Sequence, residues 1–236
     1  MTADVQQDAG GEDAGPKRRD EIVEAARNLF ATKGLGHTTV KDIAEAVGVA
    51  RSLFYHYFEN KDAVTEAVLD TYVADFVTLV HYWNESRERY NVRKALHDCI
   101  KMLRRGVSDQ DPFRMDLAND ENASLYLRFY SRSAEALARY ITDTTAVEYA
   151  QYHKLEIDHV YETFYMLIVG MVGFVRRYPD APDELLEDLI AQTLRLDLDP
   201  VPAEAAQGAP SADFASGKAA PKARTSIKMR HTRRTD

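Results

Sequence analysis

An all-α fold is predicted by three observations. Apolar residues recur at helical spacing from Ile22 to Leu194. No hairpin signal and no internal repeat interrupts them. Within Thr38 to Phe58, two short helical patterns meet at one glycine, Gly48, as in a helix-turn-helix.

The elements follow in order. Residues 1–16 are rich in Gly, Asp and Gln and are expected to be a disordered acidic head. A first helix spans about Arg19 to Lys33, with Ile22, Ala26, Leu29 and Phe30 on one stripe, and Gly34 and Gly36 end it. Thr39 is placed to cap the second helix, and Asp42 three residues on is the acidic half of a capping box. Ile43 and Val47 share a face, and Gly48 supplies the left-handed residue that a sharp bend needs. The third helix, Arg51 to Tyr57, is short. Asn60 caps a long fourth helix that begins at Lys61, carries Val64, Val68, Tyr72, Phe76, Leu79, Val80 and Trp83, and reaches toward Arg89. Val92, Leu96, Cys99, Ile100, Leu103 and Val107 mark a fifth helix. Asp111-Pro112 opens a short one, with proline at a favoured early position. Further helices are expected over about Ala123 to Thr142, over a long span from Val147 to Tyr178, and over Asp183 to Leu196 after Pro179 and Pro182. Residues 199–236 turn to Pro, Ala, Gly and Ser with seven Lys or Arg, and are expected to form a disordered basic tail.

The helix-turn-helix implies double-stranded DNA as a partner. Small residues Ala50 and Ser52 open the third helix and allow close approach to base edges. Arg51 suits phosphate or guanine, and Tyr55, His56 and Tyr57 suit phosphate oxygens. Thr39 and Lys41 flank the second helix, and Lys61 at a helix N-terminus makes a phosphate site. Lys17, Arg18 and Arg19 stand where the backbone or minor groove can be met. The expected DNA-binding domain is residues 17–62.

Residues 17–64 resemble the DNA-binding domain of the TetR (tetracycline-repressor) family of bacterial transcriptional regulators. The resemblance rests on Ile22 to Phe30, Lys33 to Ala44, Gly48-Val49-Ala50 and Leu53 to Asp62. The family pattern often has Gly or Pro near Ser52 and Thr near Leu53. Leu53 has no hydroxyl, so no phosphate contact is carried over to it. The resemblance implies a homodimer on a palindromic operator, a small-molecule effector and repression, in the bacterial cytoplasm at the nucleoid. A ligand-independent accessory factor and an activator are the other functions that use the same head.

Charge and composition narrow the classes. The chain carries 38 acids against 30 bases, a net −8, so DNA binding needs a local basic face. One cysteine, Cys99, excludes an intrachain disulfide and fits a reducing interior. The first fifteen residues do not read as a signal peptide, and Val160 to Val175 is too short to span a membrane. No nucleophile elbow, phosphate loop or Cys-His pair in a recognisable motif is present, so no enzyme, cofactor or metal is expected. Glu156 and His159 have the spacing of a bundle metal ligand pair, but no second such motif accompanies them.

Residues 63–198 are expected to sense and to pair. Val160 to Val175 is apolar nearly all round, so one side needs a partner. The expected interface joins Val169, Gly170, Val172 and Gly173 to Leu186, Leu189, Ile190 and Thr193 of the last helix. A two-fold dimer matches a symmetric operator. Tyr72, Phe76, Tyr126, Phe129, Tyr130, Tyr161, Phe164 and Tyr165 are the candidate lining of a ligand pocket.

Overall fold

The structure, a computed structural model, describes residues 14–88, 90–108 and 111–198. Every regular element among them is helical: α1 (Ala14–Lys33), α2 (Val40–Val47), α3 (Arg51–Tyr57), α4 (Lys61–Ser86), α5 (Val92–Ser108), α6 (Pro112–Leu117), α7 (Ala123–Asp143), α8 (Thr145–Tyr149), α9 (Val160–Arg177) and α10 (Asp183–Leu194). A single 3-10 turn, Asp120–Asn122, leads into α7. The expected acidic head before Ala14, Arg89, and the basic tail from residue 199 lie outside the described residues.

Local chemistry sets the helix ends. The Asp42 amide donates to Thr39 Oγ1 at 3.2 Å, and the Thr39 amide donates to Asp42 Oδ2 at 2.7 Å, so the capping box is closed. Thr39→Ala is expected to lower stability by about 1 kcal/mol, read in chemical denaturation. Gly48 ends α2 with φ 75°, and the Val49 amide returns to the Ala44 carbonyl at 2.9 Å. Asn60 Oδ1 accepts from the Ala63 amide at 2.9 Å, and Asp111 Oδ1 accepts from the Arg114 amide at 2.9 Å. α10 stops at Leu194, two residues before the expected Leu196, because Arg195 turns left-handed and the Leu196 amide folds back to the Ala191 carbonyl. At the other end of the chain, α1 begins five residues before the expected Arg19, with Pro16 inside its first turn.

One expected element is corrected. The span from Val147 to Tyr178 is two helices, α8 and α9, joined by a non-helical stretch over residues 150–159. Leu155 and Ile157 both face the same internal cavity. Residues two apart share a side in extended chain and not in a helix, so the apolar demand of the cavity favours the open form.

Two buried clusters fill the molecule. One runs from α1, α2 and α3 (Ile22, Phe30, Ile43, Phe54) through α4 (Val64, Val68, Tyr72) to α6 and α7 (Phe113, Leu117, Phe129). Packing is therefore continuous across the expected boundary after Asp62. The second joins α5 (Leu96, Ile100) to α9 (Met171, Val175) and α10 (Leu186, Ile190, Leu194). Ion pairs tie the outside of these layers. Glu66 of α4 accepts from Arg128 at 2.9 Å and Arg132 at 2.6 Å on α7, and Arg104 of α5 meets Asp183 of α10 at 2.5 Å.

Candidate nucleic-acid interface and apolar cavity

The bend at Gly48 presents α3 outward. Phe54 is its one fully buried side chain and anchors it, with its ring 5.8 Å from that of Phe58. The opposite face is open: Arg51, Ser52, His56 and Tyr55 are exposed, the last at 55%. Ala50 and Lys41 are exposed beside them, and Tyr57 is half-buried with its ring 5.0 Å from that of His56. Among the described residues Arg51 carries no ion pair, whereas Lys41 lies 3.5 Å from Glu45. The predicted surface residues of α3 therefore share one face, with a guanidinium at its start.

Two of the predicted contact residues also hold the head together. Lys61 is half-buried, and its Nζ donates to the Leu35 carbonyl at 2.9 Å and the Thr38 carbonyl at 3.2 Å. An ammonium has three protons, so one is left for a phosphate. Thr39 is exposed, but its hydroxyl is committed to the Asp42 carboxylate at 2.7 Å. Lys33, at the end of α1, pairs with Asp42 at 2.7 Å and, with the two Thr39 bonds, holds that carboxyl well below the usual aspartate range. A depressed carboxyl stabilises the folded state above its ordinary pKa of 3.8, and that contribution is lost as pH falls through the folded value. Acid titration of the melting temperature is expected to fall less steeply below pH 3.8 in Asp42→Asn, which starts from a lower melting point.

Ahead of α2, Arg18 pairs with Glu21 at 2.6 Å and Arg19 lies over the Phe58 ring at 5.1 Å. These two basic residues of α1 pack locally on the head.

A cavity of about 570 Å³ opens between α4, α5, α7 and α9, with α6 and α8 at its ends. Phe76, Tyr126, Phe129, Tyr130 and Phe164 of the predicted set line it. Tyr72 does not. It is buried between α1 and α6, its hydroxyl donates to Asp111 at 3.0 Å, and the Arg27 guanidinium lies 4.3 Å from its ring centre. Burial and the Asp111 charge push its phenol up to about 12. Tyr161 and Tyr165 also lie outside the cavity wall, stacked on each other at 6.5 Å along α9. Aromatics at helical spacing serve core and cavity alike, and the pattern alone does not separate the two.

The wall also holds residues that the aromatic pattern passed over: Trp83, Cys99, Ser133, Arg114 and Arg176. Cys99 is the only cysteine, and burial pushes its thiol up to about 11, so it stays protonated near neutrality. Ser133 carried a readable signal, since it is a hydroxyl on the apolar stripe of Phe129 and Leu137.

The predicted interface is likewise divided. Leu186 is fully buried and Ile190 nearly so, both packed against α5 and α9 of the same chain, and Val172 and Ile190 line the cavity. Leu186 and Ile190 therefore have their apolar surface covered within the chain, whereas Val172 is half-buried. Gly170 and Gly173 are exposed, and a Cβ at either would meet nothing within 4 Å. Met166, at 71% exposure, lies one turn before Gly170. Val169, Leu189 and Thr193 are half-buried or exposed on the same two helices.

Among the described residues no group of three or more His, Cys, Asp or Glu is placed to hold a metal ion. Among them, too, no helix is long and apolar enough to cross a membrane.

Fold and site together define a helix-turn-helix protein with an all-helical body around an apolar cavity. Residues 22–68 match the family model described as bacterial regulatory proteins, tetR family. The chain is similar to the HTH-type transcriptional repressor KstR2 of Rhodococcus jostii, 40% identical over 58 residues, covering 25% of this chain and 28% of the repressor. It is similar to the HTH-type transcriptional regulator TtgR of Pseudomonas putida, 43% identical over 53 residues, covering 22% of this chain and 25% of that protein. The matches thus span about a quarter of the length of these curated relatives. Among solved structures, the TetR family repressor AlkX from a Dietzia species, implicated in biodegradation of n-alkanes, shares the fold with a TM-score of 0.56 at 19% identity, over 80% of this chain and 100% of that one. Over residues 22–68 this chain is thus similar to the tetR family of bacterial regulatory proteins.

Proposed function

We propose that this chain is a homodimeric transcriptional repressor that binds a two-fold DNA operator through α3 and leaves it when a small molecule fills the cavity. It acts by binding, in the bacterial cytoplasm, and not by catalysis. The sign of regulation follows operator position, so the same protein becomes an activator where its site lies upstream of a promoter.

The observation that carries the ligand response is the placement of α6. Its Phe113 ring stacks on Phe30 of α1 at 5.4 Å, and its Asp116 carboxylate accepts from the Leu35 amide at 2.6 Å, at the turn before α2. Its Arg114, Met115 and Leu117 line the cavity. A ligand that moves α6 therefore moves the base of the reading head. It shifts the equilibrium only by its difference in affinity for the two arrangements.

The two-fold partner is assigned to the outer face of α9 and α10, at Met166, Val169, Gly170, Gly173, Leu189 and Thr193. Gly170→Leu is expected to convert dimer to monomer in sedimentation. Because a side chain at Gly170 meets open space in its own chain, an effect reports on the partner and not on misfolding. An unchanged profile would remove this face from the interface.

Gel shifts of the full chain on the DNA upstream of its own gene test the reading at two salt concentrations. A specific complex should weaken as salt rises, since phosphate contacts release counterions. Loss of that complex on adding a cavity ligand completes the proposal. Retention with the cavity filled would favour a ligand-independent DNA-binding factor.

A further inference from the structure

We infer that the cavity takes an elongated aliphatic monocarboxylate with a second oxygen near mid-chain, its carboxylate on Arg176 and its mid-chain oxygen on Ser133. The inference rests on the proposal that the cavity is an effector site, and it names the chemistry of that effector.

The shape comes first. The volume of about 570 Å³ lies within the range of small-molecule sites. Residues from Tyr126 to Ile141 of α7 line it, about four helical turns or roughly 22 Å. A long thin cavity fits an extended chain better than a compact ring system. Its wall is mostly Leu, Ile, Val, Met and aromatic side chains.

Charge comes second. Among the described lining residues the charged ones are Arg87, Arg114 and Arg176, and none is a carboxylate. Arg87 is neutralised by Glu148 at 2.6 Å, where α4 meets α8, so that end is not an anion site. Arg114 donates to the Gly106 carbonyl and lies 5.0 Å over the Phe76 ring, so its guanidinium is engaged within the chain. Arg176 is at the opposite end from Arg87. It is exposed in the last turn of α9, its guanidinium lies 4.9 Å over the Tyr126 ring, and one of its N–H groups donates to the Tyr126 hydroxyl. No described carboxylate pairs with it, and a guanidinium offers five donors. A cationic ligand would bring like charge to this wall with no counter-ion to meet it.

The second oxygen is the more particular requirement. Ser133 is 8% exposed, it lines the cavity, and its Oγ has no hydrogen-bond partner among the described residues. A buried hydroxyl is normally paired. Ser133 stands seven residues from Tyr126 on the same helix, about 10 Å along its axis. A hydroxyl or oxo group at that distance from the carboxylate pairs it, and a plain hydrocarbon segment does not.

Trp83 is the only tryptophan of the chain and lines the cavity, so its fluorescence reads occupancy directly. The full chain is titrated, below micelle-forming concentrations, with stearate, a mid-chain hydroxystearate, octadecanol and octadecylamine. The hydroxy acid should bind tightest, stearate next, the alcohol more weakly and the amine least. Arg176→Gln should weaken both acids roughly tenfold or more and leave the alcohol unchanged, with partial rescue in Arg176→Lys. Ser133→Ala should bring the hydroxy acid to the level of stearate and leave stearate alone. Alcohol or amine binding as tightly as the acids, or indifference to Arg176→Gln, would overturn the carboxylate while leaving an effector cavity in place. Indifference of the hydroxy acid to Ser133→Ala would overturn the second oxygen. Failure of every probe to change Trp83 fluorescence or the melting temperature would overturn the inference and leave the effector reading to the operator-binding test.

Discussion

Phe113→Ala is expected to destabilise the protein by about 3–5 kcal/mol, the cost of deleting a fully buried phenylalanine where neighbours cannot close the gap. In a chain of this size that is a fall of about 10 °C in melting temperature. The neighbours are large and fixed. The Phe113 ring lies 5.4 Å from Phe30 and 5.5 Å from Tyr72, and Tyr72 is itself held by Asp111 and Arg27. A milder variant, Phe113→Leu, keeps most of the volume and should fold. Its expected phenotype is selective: DNA binding persists, but the response to ligand falls, because the proposed coupling runs through the stacked contact between α6 and α1. A Phe113→Leu protein with full ligand response would show that the head is reached by another route, such as the Asp116–Leu35 bond.

The second large effect is at the reading helix. Arg51→Ala and Tyr55→Ala should each reduce operator affinity about ten- to a hundredfold, the worth of one good base or phosphate contact in a specific complex. Neither should shift the melting temperature measurably, since both side chains are exposed and Arg51 carries no ion pair among the described residues. Lys61→Ala is expected to behave differently. It frees the carbonyls of Leu35 and Thr38, so it should lose stability along with affinity. The contrast separates contact residues from those that shape the head. Equal loss of stability in all three would mean that α3 is packed, not presented.

The features legible in the sequence were those fixed by near neighbours. The Thr39–Asp42 box, the left-handed Gly48 and the Asn60 cap depend on residues within three or four positions, and each formed as its local chemistry requires. What the chain order hides is which distant surface claims a side chain. Lys61 reads as a free cation until the carbonyls of Leu35 and Thr38, far earlier in the chain, fold over it. Leu186 and Ile190 carry the same apolar signal whether they face α5 and α9 or a second copy, and here their own chain covers them. Tyr72 and Phe129 share a spacing rule, yet only Phe129 reaches the cavity. The break before α9 escaped for a related reason. Leu155 and Ile157 alternate with Lys154, Glu156 and Asp158, a two-residue spacing too short to stand out beside the apolar run that follows, and only the cavity shows that both residues face one side.

The central claim is a helix-turn-helix head whose hold on DNA answers to the contents of the cavity. Its most direct test is operator affinity of the full chain by fluorescence anisotropy, at fixed salt, with and without a molecule shown by Trp83 fluorescence to occupy the cavity. The account predicts a salt-sensitive specific complex that Arg51→Ala weakens and that cavity occupancy weakens further, with the second effect reduced in Phe113→Leu. Specific binding that is indifferent to a filled cavity, or no specific binding at low salt, would contradict it.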